Sequence, residues 1–147
     1  MTDFQAAIGN AQIEKLPDFI TVRHSNFEYL NSLLKPLSEY FVLPVSLPNS
    51  EPSWFGYPLT IKPTCGFTRR DITTYLETSK IGTRLLFGGN LLKQPAYQNI
   101  TFRQLDELIN TNIIADQTFW IGVYPGITTE MMNYMAETIF DFVKKHK

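Results

Sequence analysis

At 147 residues, with 44% hydrophobic and 18% charged side chains, the chain has the size and composition of a single folded domain with an ordinary core. A formal net charge of −1, without any run of Lys or Arg, argues against a surface for nucleic acid or anionic membrane. The single cysteine, Cys65, excludes an internal disulfide, and one cysteine with two histidines makes a self-contained metal site improbable. Without a signal-peptide pattern or an apolar run of about 18 residues, the expected location is cytoplasmic.

Two helices are predicted at the start of the chain. Thr2 and Gln5 have the spacing of a capping box, which begins the first helix. Pro17 can end this helix, kink it, or occupy the first turn of the second. The second helix is expected to end near Pro36, and the proline-rich residues 42–53 are predicted to form an irregular connector. The apolar positions of the first helix recur at helical spacing and are Phe4, Ala7, Ile8, Ala11, Ile13 and Leu16.

Three strands and further helices are predicted after residue 53. The strand candidates are 54–62, 81–87 and 118–126, of which the last is stopped by Pro125 and Gly126. Thr68 and Thr128 are predicted N-caps of two helices, and residues 105–117 are expected to be partly helical. The fold class predicted is α+β, with two leading helices followed by a small antiparallel or mixed sheet that helices cover.

Few residues carry an obvious chemical signal. Arg84 precedes Gly88, Gly89 and Asn90, a combination that could hold a phosphate or a sugar hydroxyl, although the residues alone favour a turn beside a solvated arginine. The aromatic pairs at 54–55 and 119–120 could line a ligand pocket or belong to the core. His24 is interpreted as a surface or packing residue and Cys65 as chemically inert.

Four stretches carry a resemblance to a known family. The sequences "TDFQAAIGNAQIEKL", "PSWFGYPLTIK", "IGTRLLFGGNLLKQP" and "DQTFWIGVYPGIT" are similar to the vitamin-B6-dependent sugar aminotransferases and dehydratases of fold type I. Within that family they resemble the C-terminal third of the CDP-4-keto-6-deoxyglucose 3-dehydrases and their relatives in lipopolysaccharide biosynthesis. The resemblance covers residues 2–145.

The resemblance implies a division of labour between this chain and segments without a counterpart in it. Residues 1–41 would be the bridging and long connecting helices, and residues 42–147 the small C-terminal α+β domain. The family's cofactor, pyridoxamine or pyridoxal phosphate, and its two-iron two-sulfur cluster would be held by the segments that are missing here. No catalytic, cofactor-binding or metal-binding residue is therefore expected in this chain, and it is expected to be inactive alone.

The resemblance also implies that one side of the chain lines the substrate. Arg84 and Asn90 are candidates for sugar or phosphate contacts, and Phe55 falls where related aminotransferases tend to carry a polar aromatic residue or histidine. The implied partner of the intact enzyme is a CDP-linked 4-keto-6-deoxyhexose. Asn112 and Ile113 depart from the Asp-Arg pattern of the relatives, which leaves the sugar open. The full set of expected substrate-lining residues is Trp54, Phe55, Arg84, Phe87, Asn90 and Trp120.

Three alternatives remain open at this stage. The chain could belong to a GDP-sugar 3-dehydratase or a sugar aminotransferase of the same family, or be a free-standing nucleotide-sugar-binding module. It could also act only in oligomerisation. The apolar stripe of the first helix would be left exposed without a partner, so self-association through this helix into a homo-oligomer is predicted.

Overall fold

The computed structural model describes residues 2–146, which form five α-helices and a four-stranded sheet. The helices are α1 (Asp3–Ile13), α2 (Leu16–Leu34), α3 (Arg69–Thr78), α4 (Ile109–Gln117) and α5 (Thr129–Lys145). The strands are β1 (Phe41–Val42), β2 (Gly56–Ile61), β3 (Thr83–Leu85) and β4 (Thr118–Gly122). Short 3-10 turns lie at Lys35–Leu37, Leu91–Lys93 and Pro95–Tyr97.

The helix boundaries follow the predicted caps. The Thr2 hydroxyl accepts from the Gln5 backbone N–H, and the Gln5 side chain accepts from the Thr2 N–H, which completes the capping box of α1. Thr68 forms the same arrangement with Asp71 at α3, and Thr128 caps α5. Pro17 lies in the first turn of α2, where its missing N–H costs no helical hydrogen bond.

The sheet is antiparallel throughout, in the order β1-β2-β4-β3. This confirms the α+β class and selects the antiparallel alternative. The sequence predicted three strands, and the structure adds β1, which pairs Phe41 with Ile61 and Val42 with Thr60. The predicted connector therefore begins one residue later than 42. β1 stops short of Pro58, so Pro58 lies where β2 is paired on one side only, as a strand proline requires.

One face of the sheet forms the core with the helices. The alternating residues Tyr57, Leu59 and Ile61 of β2 are buried, as are Phe119 and Ile121 of β4. They pack against buried residues of α2, α3 and α5, and the Tyr57 hydroxyl donates to Asn31 Oδ1 of α2 at 2.8 Å. The helix-side partners are Phe27, Leu30, Leu34, Ile72, Leu76, Met132, Met135, Ile139 and Phe142.

The N-terminal arm, residues 2–21, contributes nothing to this core. Every residue of the arm is exposed, including Phe4, which is 76% exposed. Phe4 and Ile13 are nine residues apart, which places them half a turn apart around α1. Phe4, Ala7, Ile8 and Ala11 thus lie on one side of α1, as predicted, whereas Ile13 lies on the opposite side and Leu16 belongs to α2.

Candidate functional site

Trp120 lies at the centre of the second face of the sheet. This face carries the β2 and β4 residues that alternate with the core residues, and Trp120 stands opposite Arg84 of β3 and Pro58 of β2. A Cβ atom placed on Gly56 would meet the Trp120 ring at 2.4 Å. Glycine at position 56 therefore allows the half-buried indole to lie directly on the β2 backbone.

A further aromatic ring contacts this tryptophan, and Phe87 is linked to it through the backbone carbonyl of Leu85. The Phe55 ring lies 5.0 Å from the Trp120 ring, tilted by 57°, and 64% of the Phe55 residue is exposed. The indole Nε1–H donates to the Leu85 carbonyl at 3.2 Å, and the same carbonyl accepts from the Phe87 N–H at 2.9 Å. Phe87 is 80% exposed and has a φ of 48°, which is uncommon for a bulky residue.

Arg84 presents an exposed guanidinium beside this group. Its Nη1 donates to the neighbouring Thr83 carbonyl at 2.7 Å. Within residues 2–146, no carboxylate lies close enough to Arg84 to form an ion pair. Arg84 is therefore an exposed, planar, charged donor that forms no ion pair within the described residues, although Glu77 lies near enough for an electrostatic interaction with it. We call Phe55, Arg84, Phe87 and Trp120 the aromatic–arginine group.

The other two predicted lining residues lie elsewhere. The Trp54 ring stacks on Phe27 of α2 with centroids 3.9 Å apart and planes 2° apart, so it extends the core side of the fold. The Trp54 carbonyl also accepts from Arg23 Nη1 at 2.8 Å. Consecutive residues 54 and 55 thus reach opposite sides of the sheet. Phe119 is fully buried in the core, so each aromatic pair divides between the two sides.

Asn90 is buried beneath the loop that follows β3. Only 6% of it is exposed, its Nδ2 donates to Asn112 Oδ1 at 2.9 Å, and its Oδ1 accepts from the Leu92 N–H. Asn112 Nδ2 in turn donates to the Glu107 carbonyl. Asn90 therefore joins the loop after β3 to α4, and its polar atoms are already bonded within the protein. As a ligand contact, it remains a prediction.

The glycine turn at residues 88–89 borders a cavity of about 180 Å³ between this loop and α4. Lys93 lines the cavity and forms an ion pair with Asp116 at 2.8 Å, while Arg84 is not among the lining residues. The Gly89 N–H donates to the Leu86 carbonyl, and the Gly88 carbonyl accepts from Gln94. The Gly89 N–H is thus used within the turn rather than turned toward an anion.

Three polar residues with structural contacts were not identified from the sequence. Arg69 Nη1 donates to the carbonyls of Ala115 and Thr118, joining the start of α3 to the end of α4. Glu77 Oε1 accepts from the Thr83 N–H and hydroxyl, each at 2.8 Å. These hydrogen bonds lower the pKa of Glu77. Asn112 was noted only as a departure from the family pattern. Each of these contacts joins residues that lie apart in the sequence, so no local sequence pattern predicts it.

The described residues include no set of ligands for the iron–sulfur cluster of the implied family, and none of their contacts identifies a site for its cofactor. Cys65 donates its thiol to the Tyr40 carbonyl at 3.2 Å, and partial burial raises its pKa, which agrees with its interpretation as inert. Among residues 2–146, no group of three or more His, Cys, Asp or Glu side chains could hold a metal ion. His24 lies on α2 with its Nε2 buried and without a hydrogen-bond partner. No chemical step is assigned to this chain through either group.

The comparisons with known proteins agree with this architecture. The chain is 46% identical over 142 residues to the lipopolysaccharide biosynthesis protein RfbH of Salmonella typhimurium, covering 97% of this chain and 32% of that protein. It is 46% identical over 144 residues to the dTDP-4-dehydro-2,6-dideoxy-D-glucose 3-dehydratase of Saccharopolyspora spinosa, covering 98% and 31% respectively. The chain thus spans about a third of the length of these relatives. No helix within residues 2–146 has the length and apolarity needed to cross a bilayer.

Solved structures match over nearly the whole chain. The GDP-4-keto-6-deoxy-D-mannose-3-dehydratase of Escherichia coli, solved with hydrated PLP, matches with a TM-score of 0.81 and 27% identity, covering 90% of this chain and 33% of that one. A sugar aminotransferase of Streptococcus pneumoniae in its PMP form shares the fold with a TM-score of 0.84 at 18% identity, covering 100% and 36%. The profile of the DegT/DnrJ/EryC1/StrS aminotransferase family matches residues 1–140. The chain therefore belongs to the DegT/DnrJ/EryC1/StrS aminotransferase family.

Proposed function

We propose that this chain is the C-terminal part of a PMP- or PLP-dependent nucleotide-4-keto-6-deoxysugar 3-dehydrase in deoxysugar and lipopolysaccharide O-antigen biosynthesis. Residues 1–41 would connect it to the cofactor-binding part, and residues 42–147 would form the small domain. It supplies one wall of the nucleotide-sugar site and is inactive alone. The proposal extends to this chain what the names of its relatives state of them.

The aromatic–arginine group is the observation that carries this proposal. Exposed aromatic side chains such as Phe55 and Phe87, next to a half-buried tryptophan at a sheet face, are typical of a binding surface. Aromatic rings can pack against a nucleobase or the apolar face of a sugar, and a guanidinium can bind diphosphate oxygens through two parallel hydrogen bonds. The chain presents these groups on an open face, so the opposite wall of the site has to come from other segments.

The proposals for the reaction type and for the nucleotide of the substrate rest on individual residues and motifs. Phe55 contributes no proton donor at the ligand-facing surface, which suits a dehydrase better than an aminotransferase. The sequences "WFG" (54–56) and "TRLLFGGN" (83–90) favour a CDP-linked 4-keto-6-deoxyhexose, although relatives named for dTDP- and GDP-linked sugars also match this chain. Asn112 is bonded to Asn90 and Glu107, so its amide helps to hold the loop.

Reconstitution from two polypeptides tests the enzymatic proposal. The chain is to be co-expressed with the part of the Salmonella RfbH protein that it does not match, and the purified complex supplied with PMP, a reductant and CDP-, dTDP- or GDP-linked 4-keto-6-deoxysugars. We expect loss of the C3 hydroxyl, measured by mass spectrometry, with the CDP substrate preferred and with Arg84→Ala reducing turnover. A folded complex that instead transfers an amino group from glutamate would identify an aminotransferase and contradict the dehydrase assignment.

A free-standing nucleotide-sugar-binding module is the second candidate, because the aromatic–arginine group lies within this chain. Calorimetric titration of the isolated chain with CDP-sugar separates the two candidates. Tight one-to-one binding that Arg84→Ala abolishes would favour the module. Binding too weak for calorimetry, together with activity in the reconstituted complex, would favour the enzyme part.

We propose in addition that the isolated chain self-associates through the N-terminal arm. An exposed helix of 11 residues is marginal in water on its own, and apolar residues on two sides of α1 are stabilised when another surface covers them. Light scattering after size-exclusion chromatography should show a mass above 16.9 kDa that Phe4→Ser with Ile8→Ser reduces to the monomer value. A monodisperse monomer of the unmutated chain at high concentration would contradict this.

A further inference from the structure

β3 is a very short edge strand, and Arg84 of the proposed binding face lies at its centre. It has three residues, pairs only with β4, and carries Arg84 in its middle position. A strand of this length has few hydrogen bonds of its own, and edge strands have one side unpaired. Additional contacts are therefore needed to fix the direction in which Arg84 points.

One contact lies at the start of the strand. Glu77, near the end of α3, accepts hydrogen bonds from both the N–H and the hydroxyl of Thr83. Thr83 is buried, so the carboxylate satisfies polar groups that are otherwise removed from water. The charged form of Glu77 is favoured because these two donors lower its pKa. Glu77 thus joins the first residue of β3 to α3.

The second contact lies at the end of the strand. The Trp120 indole Nε1–H donates to the Leu85 carbonyl, and this carbonyl also accepts from the backbone N–H of Phe87, which adopts a positive φ. A non-glycine residue in this region costs conformational energy and persists when its surroundings impose it. The indole can hold this position because Gly56 has no side chain to displace it.

Trp120 is poorly placed to stack on a ligand itself. Phe55 lies against its ring with centroids 5.0 Å apart, which leaves no space for a third ring between them. Arg84 and Phe87 flank the carbonyl that Trp120 holds, and both are exposed. The residues that the contacts leave accessible are thus Phe55, Arg84 and Phe87.

We infer that Glu77 and Trp120 are positioning residues that hold the two ends of β3, so that Arg84 and Phe87 are presented to the diphosphate and ring of the ligand. This inference rests on the proposed function for the identity of the ligand, whereas the restraint of β3 is independent of it. Trp120 and Glu77 act through Arg84 and Phe87 rather than by touching the substrate.

Amide hydrogen exchange on the full chain tests the restraint. Trp120→Phe keeps a ring on Gly56 but removes the donor to Leu85, and Trp54→Phe is the matched control on the other side of the sheet. We expect Trp120→Phe to raise exchange at the Phe87 amide about tenfold and Trp54→Phe to leave it unchanged. Glu77→Gln should raise exchange at the Thr83 amide in the same way. Unchanged exchange at both amides would overturn the inference.

Binding of pyrophosphate and CDP separates positioning from general stability. NMR titration of the unmutated chain measures the dissociation constants, and Arg84→Ala identifies the part that depends on Arg84. We expect Trp120→Phe to weaken this part about threefold or more while its midpoint of urea unfolding changes no more than that of Trp54→Phe. Equal dissociation constants for Trp120→Phe and the unmutated chain would contradict positioning but leave the proposed function standing. Absence of Arg84-dependent binding in the unmutated chain would contradict the proposed function for this face, and the exchange result would still decide the restraint of β3.

Discussion

Both faces of the sheet carry large aromatic residues, but the two faces differ in how far these residues are buried. On one face, Tyr57 and Phe119 are fully buried against the helices. On the other, Trp120 is half-buried and its neighbour Phe55 is mostly exposed, and Phe87, which follows β3, is exposed as well. Burial of apolar area stabilises the fold, so the exposed area of a ring contributes nothing to this stabilisation. The difference indicates that the first face holds the protein together, and the second is the face that we propose for binding.

The largest expected effect comes from the covered face. Leu59→Ala creates a cavity between β2 and the helices, where Leu59 is fully buried, and should lower the free energy of unfolding by about 2–5 kcal/mol. Arg84→Ala, on the open face, is the matched control and should change it by less than about 0.5 kcal/mol. Urea unfolding followed by circular dichroism measures both. If both variants lost the same free energy of unfolding, the two faces would not differ in their contribution to stability.

An intermediate effect is expected where the open face is most tightly packed. Gly56→Ala brings a methyl group into the Trp120 ring, so the indole has to move, at a cost of about 1–3 kcal/mol. Gly82→Ala is the control, because no atom lies within 4 Å of a Cβ built there. Urea unfolding gives the energies, and tryptophan fluorescence should shift in the Gly56 variant only. If Gly56→Ala changed neither the free energy of unfolding nor the tryptophan fluorescence, the position of the indole would not depend on a glycine at residue 56.

The smallest expected effect is on the pH dependence of stability. The Thr83 hydrogen bonds lower the pKa of Glu77 in the folded protein below its usual value of 4.5. The resulting stability is present above that value and is lost as the pH falls through the lowered pKa. Glu77→Gln should flatten this part of the acid limb in thermal melts from pH 6 to about pH 3. Asp71→Asn, which alters the cap of α3, is the control and should leave this Thr83-dependent part unchanged. If the acid limb of Glu77→Gln were the same as that of the unmutated chain, the prediction would be wrong.

Local patterns predicted most of the framework. The caps at Thr2, Thr68 and Thr128 and the strands around Pro58 and Trp120 follow from residues close in sequence, and the structure confirms them. β1 was missed because a two-residue strand has too few residues to show alternation, and its existence depends on pairing with β2.

The candidate site was predicted less completely, for a related reason. Motif resemblance selected Arg84, Phe55, Phe87 and Trp120, which the structure brings around one carbonyl and one ring. The sequence could not show that Asn90 is buried, because its partner Asn112 lies 22 residues away. Nor could it show that Phe87 takes a positive φ, which depends on the turn that the Leu85 carbonyl completes.

The most direct test of the account is an NMR titration of the isotopically labelled chain with CDP, because this method detects millimolar binding of the kind that a single wall of a site provides. We predict chemical-shift changes confined to the open face, at Phe55, Arg84, Phe87 and the Trp120 indole, that disappear in Arg84→Ala. Changes that instead cluster elsewhere on the molecule, or none up to the solubility of CDP, would contradict the claim that this face is a wall of the nucleotide-sugar site.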